Sequence, residues 1–415
     1  MFDTIKLQNG ISIVMEQMTS VRSIALGIFI KNGSINETAK TNGISHFIEH
    51  MLFKGTEKRT SKDIAEEMDN IGGQLNAFTS KEYTCYYARV LDTHIDIAID
   101  VLTDMLFNSK FNDIDIEKES KVILEEISMY EDSPDDVVFT ELQKEIWKNS
   151  PLGYSVLGSK ENVANFKRQD FFDYMKEKYV GENIVIAIAG NFDKQKIVDS
   201  LKDKLLTIPK GKENLEADNK YIYTPARTKI YKDIEQLHLA LAFDGVPIKD
   251  KYNYSMSLLN AIFGGGMSSI LFQKVREEQG LAYSIYSYNS SYVNNGLFNI
   301  YVGLNKSQLE KTINIITTEI NNLKKNKISK EQIEKTKEQL KSNYIMGLES
   351  TSNRMSSIGR SKILLDKIKT PDEIIEEVDL IQKEDIDYLI DKVFDLEKMS
   401  ISIVGKVDDI KIQNL

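Results

Sequence analysis

Two of the four histidines in this chain fall within one pentapeptide, His46-Phe47-Ile48-Glu49-His50. On a helix, residues four apart sit one turn above each other. Both imidazoles can therefore reach a single ion, with Glu49 projecting beside them. Two neutral histidines, one carboxylate and a fourth position for water make a catalytic zinc arrangement. Zinc acidifies water and polarises a carbonyl. A carboxylate base at its side, here Glu49, would complete the apparatus for hydrolysing a peptide. The same five residues also describe a helix with two unrelated histidines, and the pentapeptide alone does not choose. Cys85 is the only cysteine, so an intramolecular disulfide and a cysteine-based zinc site are excluded. Cys85 reads as a small buried residue in a strand.

The element carrying these residues reads as a helix over Ile44–Phe53, stopped by Gly55. Ile44, Phe47, Ile48, Met51 and Leu52 form its apolar face. His46, Glu49 and His50 fall on the opposite side and are expected to look into open space or a cleft. A third ligand must come from elsewhere. The stretch from Asp115 to Asp136 has helical apolar spacing and is rich in glutamate. Glu119 and Glu126 share one face, two turns apart, and Glu125 points about 100° away. A solvated charged face is the alternative reading of that helix.

Around these elements the chain reads as two similar halves. Phe172–Asp193 and Ile386–Asp408 each run from an amphipathic helix to an apolar strand and then to a glycine and an aspartate. Asp193 and Asp408 are each placed to cap a following helix. The shared order predicts an internal duplication. The Pro- and charge-rich segment between the halves reads as a linker. The expected division is 1–207, a linker at 208–228, and 229–415. Strand pairs are expected at "GQLNAFTSKEYTCYYARVL" and "GLAYSIYSYNSSYVNNGLFNIYVGL". Helices and strands in long blocks give an α+β class. A net charge of −10 without a basic cluster excludes a nucleic-acid footprint. No apolar run approaches the ~20 residues of a membrane span. The N-terminus lacks the features of a secretory signal, and a cytoplasmic protein is the default expectation.

The pattern resembles the inverted H-x-x-E-H zinc motif of the pitrilysin–insulinase–mitochondrial processing peptidase family. The resemblance extends through "GISHFIEHMLFKGT", "GGQLNAFTSKEYTCYYARV", "VILEEISMYEDSPDDVVFTEL", "PLGYSVLG" and "GGGMSSILFQKVREEQGLAYSIYS", in order along nearly the whole chain. It implies two homologous domains related by a pseudo-twofold duplication, each a mostly antiparallel sheet packed with helices. It also implies one zinc per chain, held by His46, His50 and Glu126, with Glu49 as the base and Glu119 as an orienting carboxylate. Only the first half carries the zinc motif. In the second half Arg276 and Tyr283 match a substrate-binding pair, suited to an oxygen that gains charge. Asn76, Ala77 and Phe78 match an edge strand on which extended substrate pairs, and Phe53 matches a residue beside the zinc. Gly264, Gly265 and Gly266 read as a turn, because no Gly-Lys-Ser/Thr follows for a phosphate loop.

What the resemblance implies is a zinc endopeptidase acting on oligopeptides or flexible segments inside a closed chamber. The half-length chain resembles members that form dimers, either with a second copy or with a related subunit. Arg276 and Tyr283 would then act in trans. The competing reading is a non-catalytic or processing subunit of a peptidase complex.

Overall fold

Among the described residues, apolar and β-branched runs give eleven strands. They are β1 (Phe2–Lys6), β2 (Ser12–Gln17), β3 (Ser23–Ile30), β4 (Gln74–Thr79), β5 (Thr84–Leu91), β6 (Ile184–Gly190), β7 (Arg227–Tyr231), β8 (Leu237–Asp244), β9 (Ala282–Ser291), β10 (Gly296–Leu304) and β11 (Ser400–Gly405). The structure, a computed structural model, describes residues 2–148, 150–215 and 219–414. Residues 216–218 of the expected linker lie outside the described residues.

The strands form two sheets, in the orders β1-β2-β6-β3-β5-β4 and β7-β11-β8-β10-β9. Omitting β1, the two orders correspond strand for strand. Each has one parallel pair, β2 with β6 and β7 with β11, and is otherwise antiparallel. This shared topology is the duplication expected from the sequence. Both expected strand pairs form, as β4/β5 and β9/β10. Every residue of β6 is buried, as are seven of the eight in β3, the pattern of strands covered by helices on both faces. The edge strands β1 and β4 are more open.

On one face of the first sheet, Ile24, Leu26, Ile28 and Ile30 join a core with the helices Ile44–Leu52, Ile95–Asn108 and Arg168–Lys178. The other face is covered by a helix from far along the chain, Thr351–Leu365, which packs on β2, β3 and β6. Its fit is close. A Cβ on Gly359 would stand 2.2 Å from the Phe29 ring, and one on Gly27 would stand 2.4 Å from the Met355 sulfur. Arg354 of this helix pairs with Glu16 of β2, and both side chains are buried. The second sheet is covered reciprocally by a helix from the first half, Pro134–Ile146, which packs on β7, β8 and β11. Its Phe139 ring lies 5.2 Å from that of Tyr288 and 6.0 Å from that of Tyr301.

The two compact units are therefore discontinuous. The first takes in Met1–Ile127, Tyr154–Ala217 and Ile345–Thr370, and the second Ser128–Gly153, Asp218–Tyr344 and Pro371–Leu415. The expected halves, 1–207 and 229–415, differ from these units by one exchanged segment in each direction. Sheet strands announce themselves by alternation and β-branching. A covering helix carries no mark of which sheet it will cover. Asp193 caps the helix Lys194–Leu205, accepting from the Lys196 N–H. After Asp408 the described residues form no α-helix, so that expected cap is absent. Among the described residues no helix is long and apolar enough to cross a membrane.

The contact of Gly359 with Phe29 sets a stability prediction. Gly359→Val forces branched methyls into a ring that is fully buried, and overpacking of this kind typically costs about 1–3 kcal/mol. Urea unfolding should show a lowered midpoint with an unchanged slope; an unchanged midpoint would mean that the helix does not seat as described.

Candidate metal centre

The helix Ile44–Leu52 has nine residues, too few to persist alone in water, so its orientation comes from its surroundings. Ile44, Phe47, Ile48, Met51 and Leu52 are all buried in the first core. The Phe47 ring lies 4.9 Å from Phe171 and 6.1 Å from Phe166. The helix starts at Gly43, with φ +99° and no capping side chain of its own. Glu37 supplies the missing acceptor. Its carboxylate takes hydrogen bonds from the Gly43 N–H, the Ser45 N–H and Asn42 Nδ2, each at 2.9 Å. Burial pushes the Glu37 carboxyl up, while these donors and the positive end of the helix favour its charge.

Past the other end, Gly55 turns the chain at φ +117°. Thr56 Oγ1 donates to Asp104 at 2.6 Å, and Arg59 binds Asp104 at 2.8 Å and Asp100 at 2.6 Å. Asp104 and Asp100 belong to the helix Ile95–Asn108, so both ends of the short helix are anchored.

The histidines are less open than expected. His46 is 6% exposed, while Glu49 and His50 are half-buried, because the helix Asp113–Asp132 runs beside them. That helix brings Glu126 Oε2 to 3.6 Å from His46 Nε2 and 3.5 Å from His50 Nε2. His46, His50 and Glu126 are the one group among the described residues able to converge on a metal. Ligand atoms at about 2.0–2.2 Å from a tetrahedral zinc stand about 3.3 Å apart. The two observed separations lie close to that figure, so these residues fit zinc.

Glu119, two turns before Glu126, faces the far side of the His50 ring. Its Oε2 is 3.2 Å from His50 Nδ1, and its Oε1 is paired with Lys54 at 2.6 Å. A carboxylate on the outer nitrogen fixes which nitrogen of the ring faces the metal. His46 has no such support: its Nδ1 is buried without a hydrogen-bond partner among the described residues.

The electrostatics separate the roles of these groups. Burial lowers His46 to about 4, helped by the neighbouring His50 charge, so His46 is neutral and ready to ligate. Burial also pulls His50 down, but the bonds to Glu119 and Glu126 outweigh it and raise it to about 9. The His50 bond holds Glu126 low, and Glu119 is held low by His50 and Lys54 against its own burial. Glu49 moves the other way. Burial raises it, and a hydrogen bond from Thr79 Oγ1 opposes that rise.

Asn76, Ala77 and Phe78 lie on β4, at the edge of the first sheet. Phe78 makes edge contacts with Tyr83 and Tyr87. Phe53 ends the motif helix and is packed partly into the core. Arg276 and Tyr283 belong to the second unit and meet there. The Arg276 guanidinium lies 4.9 Å from the centre of the Tyr283 ring and 4.7 Å from that of Phe272. Arg276 sits in a π-helical turn, Phe272–Glu277, and Tyr283 is 80% exposed. Gly264, Gly265 and Gly266 form turns and bends after the helix Asn253–Phe263. Gly264 has a specific reason to be glycine, since a Cβ there would fall 2.5 Å from Ser287 Oγ.

Sequence reasoning missed Glu37, Lys54 and Thr79. Thr79 carried a signal, because it closes the strand "QLNAFT" on the parity of Ala77. Glu37 and Lys54 sit in loops, where charge alone marks nothing.

Residues 12–160 match the family "Insulinase (Peptidase family M16)", and residues 165–340 match "Peptidase M16 inactive domain". The chain is 44% identical over 387 residues to an uncharacterized zinc protease of Bacillus subtilis, covering 93% of this chain and 94% of that one. It is 39% identical over 408 residues to an uncharacterized zinc protease of Rickettsia felis, covering 98% of each. Among solved structures, a protease from Helicobacter pylori superposes with a TM-score of 0.90 at 19% identity, over 98% of this chain and 99% of that one. A chain of Complex III2 from Candida albicans does so at 0.85 and 20% identity, over 99% and 98%. Likeness at these identities is one of fold.

A metal must displace the proton that His50 holds up to about pH 9. Zinc binding at pH 7 is therefore expected to release about one proton per site, read by calorimetry in buffers of different ionisation enthalpy. Affinity should rise with pH toward 9, and fall more steeply below about pH 4, where His46 also takes a proton. Glu119→Gln should weaken zinc binding by roughly 10-fold to 100-fold. A proton count of zero at pH 7 would contradict the state assigned to His50.

Proposed function

The chain belongs to the insulinase family, peptidase family M16, and we propose that it is a zinc-dependent endopeptidase acting on oligopeptides and flexible segments. The observation that carries this reading is the convergence of His46, His50 and Glu126 within zinc-ligand spacing, with Glu49 on the same helix between the histidines. A chain of this fold also occurs in Complex III2, so the reading rests on the side chains and not on the fold.

In this reading His46, His50 and Glu126 would hold one zinc ion. When bound, zinc supplies Lewis acidity toward a scissile carbonyl and acidifies water. Glu49 takes the proton of the attacking water and returns it to the leaving amine. A half-buried carboxyl whose burial raises its proton affinity suits both halves of that task. Glu119 and Lys54 keep His50 in one orientation. Substrate lies extended along the open edge of β4, where main-chain pairing gives affinity with little demand on sequence. Arg276 and Tyr283 donate to the carbonyl oxygen as it gains charge. Their stacking favours one joint orientation, and an exposed tyrosine hydroxyl is free to reach a ligand. The chain acts as a homodimer in which this pair serves the partner's metal centre.

Cleavage of a peptide library by the purified protein should be lost with chelator and restored by zinc. Glu49→Gln should bind zinc as the wild type does and lose at least about 100-fold in kcat, the scale of general-base catalysis. Wild-type turnover in that variant would remove Glu49 from its role. The trans arrangement is read by mixing His46→Ala with Arg276→Ala chains, each inactive alone. Recovered activity is the expected outcome, and no recovery at any ratio counts against a shared site.

A further inference from the structure

Glu49 needs more than the right proton affinity, because a carboxylate on a two-carbon arm must also be aimed. Its helix does not aim it: the three positions His46, Glu49 and His50 share a face, but Glu49 takes no bond from its own helix. The one hydrogen-bond donor to Glu49 among the described residues is Thr79 Oγ1, which meets Glu49 Oε2. Thr79 is the last residue of β4, paired with Thr84 across the hairpin. It is held firmly. Thr84 Oγ1 donates to the Asn32 carbonyl at 2.9 Å and lies 3.4 Å from Thr79 Oγ1. Ser80, the next residue, closes the hairpin with its N–H on the Tyr83 carbonyl at 2.9 Å. Asn32 in turn holds the motif helix, its Nδ2 donating to Ser45 Oγ at 3.0 Å. The threonine is thus fixed by the sheet, and the sheet by the helix that carries the base.

We propose that Thr79 is the positioning residue for Glu49, its hydroxyl holding one carboxylate oxygen so that the other faces the reacting water. This rests on the reading of Glu49 as the base. Oε2 is committed to Thr79, and Oε1 is left for proton transfer. The arrangement also ties two functions to one strand. Asn76, Ala77 and Phe78, placed to line an extended substrate, lead directly into Thr79. A peptide registered on β4 is therefore registered against the base as well, through a rigid β-strand rather than through a loop.

Thr79→Val keeps the shape and removes the hydroxyl; Thr79→Ser keeps the hydroxyl and removes the methyl. A hydrogen bond to a charged group is worth about 1.5–3 kcal/mol, so Thr79→Val is expected to lower kcat by about 10-fold to 100-fold. KM should stay within about twofold. Thr79→Ser should restore most of the rate. Two readouts do not depend on turnover. Zinc affinity, by chelator competition, should be unchanged in both variants, since Thr79 touches no ligand. Crystal structures of the metal-free variants should show Glu49 in a new rotamer in Thr79→Val and in the original one in Thr79→Ser. The proposal is overturned if Thr79→Val turns over like the wild type, if Thr79→Ser is as impaired as Thr79→Val, if zinc affinity falls with the rate, or if Glu49 keeps its rotamer without the hydroxyl. Absence of zinc-dependent cleavage by the wild type would instead sink the peptidase reading. The rotamer comparison would still decide whether Thr79 aims Glu49.

Discussion

The metal centre depends on holding a nine-residue helix that cannot hold itself. Such a helix gains too little from its own hydrogen bonds to offset the ordering of its backbone. Its apolar face supplies most of the grip, through Phe47 against Phe166 and Phe171 and through the buried aliphatics beside it. Burial alone would still allow the helix to slide or roll by part of a turn. The termini prevent this. Glu37 clamps the first turn by two main-chain N–H groups, and Arg59 and Thr56 tie the far end to Asp104. With both ends fixed, three polar side chains can be presented on one face.

On that face the protein sets neighbouring groups to opposite ends of their range. His46 is driven toward neutrality by burial and by its charged neighbour. Its partner one turn on is drawn toward charge by two carboxylates. Glu119 and Glu126 are kept ionised, while Glu49 is pushed the other way. Environments that push like groups apart in this way are how one small site contains both ligands and a proton carrier. The support is uneven. His50 has a carboxylate on its outer nitrogen, and His46 has none among the described residues. His50 is therefore the better-oriented of the two.

Much of the site was legible in the sequence because it is helical. A spacing of four placed His46 with His50, and a spacing of seven placed Glu119 with Glu126, without knowledge of any tertiary contact. Which glutamate would face the histidines was not settled by periodicity, since Glu125 and Glu126 differ only by a rotation of the whole helix. The sheet strands were legible for a similar reason, as β6 carries an uninterrupted apolar run and β11 alternates serine with isoleucine. What was not legible depended on loops and on distant packing. The Glu37 bonds arise because a loop folds back on the helix start. The covering helices Thr351–Leu365 and Pro134–Ile146 have amphipathic patterns that suit any sheet. Their destinations are written in fits such as Gly359 on Phe29, which exist only once the sheet is built. His46 was expected to be open and is buried, because a helix face turned away from one core can still be roofed by a neighbour.

The exchange of those two helices bears on how the molecule comes into being. The sheet beneath the metal centre is drawn from the first 190 residues, yet its second face stays bare until Thr351–Leu365 arrives. During synthesis the ribosome must deliver more than four-fifths of the chain before that layer is complete. Phe29, Gly27 and Glu16 wait uncovered until then. A gene cut at the connecting segment would encode two fragments that each lack a piece of their own interior and carry a piece of the other's. The duplication visible in the two sheets is thus no longer divisible into its ancestral parts. Each copy has become a condition for the other's completion.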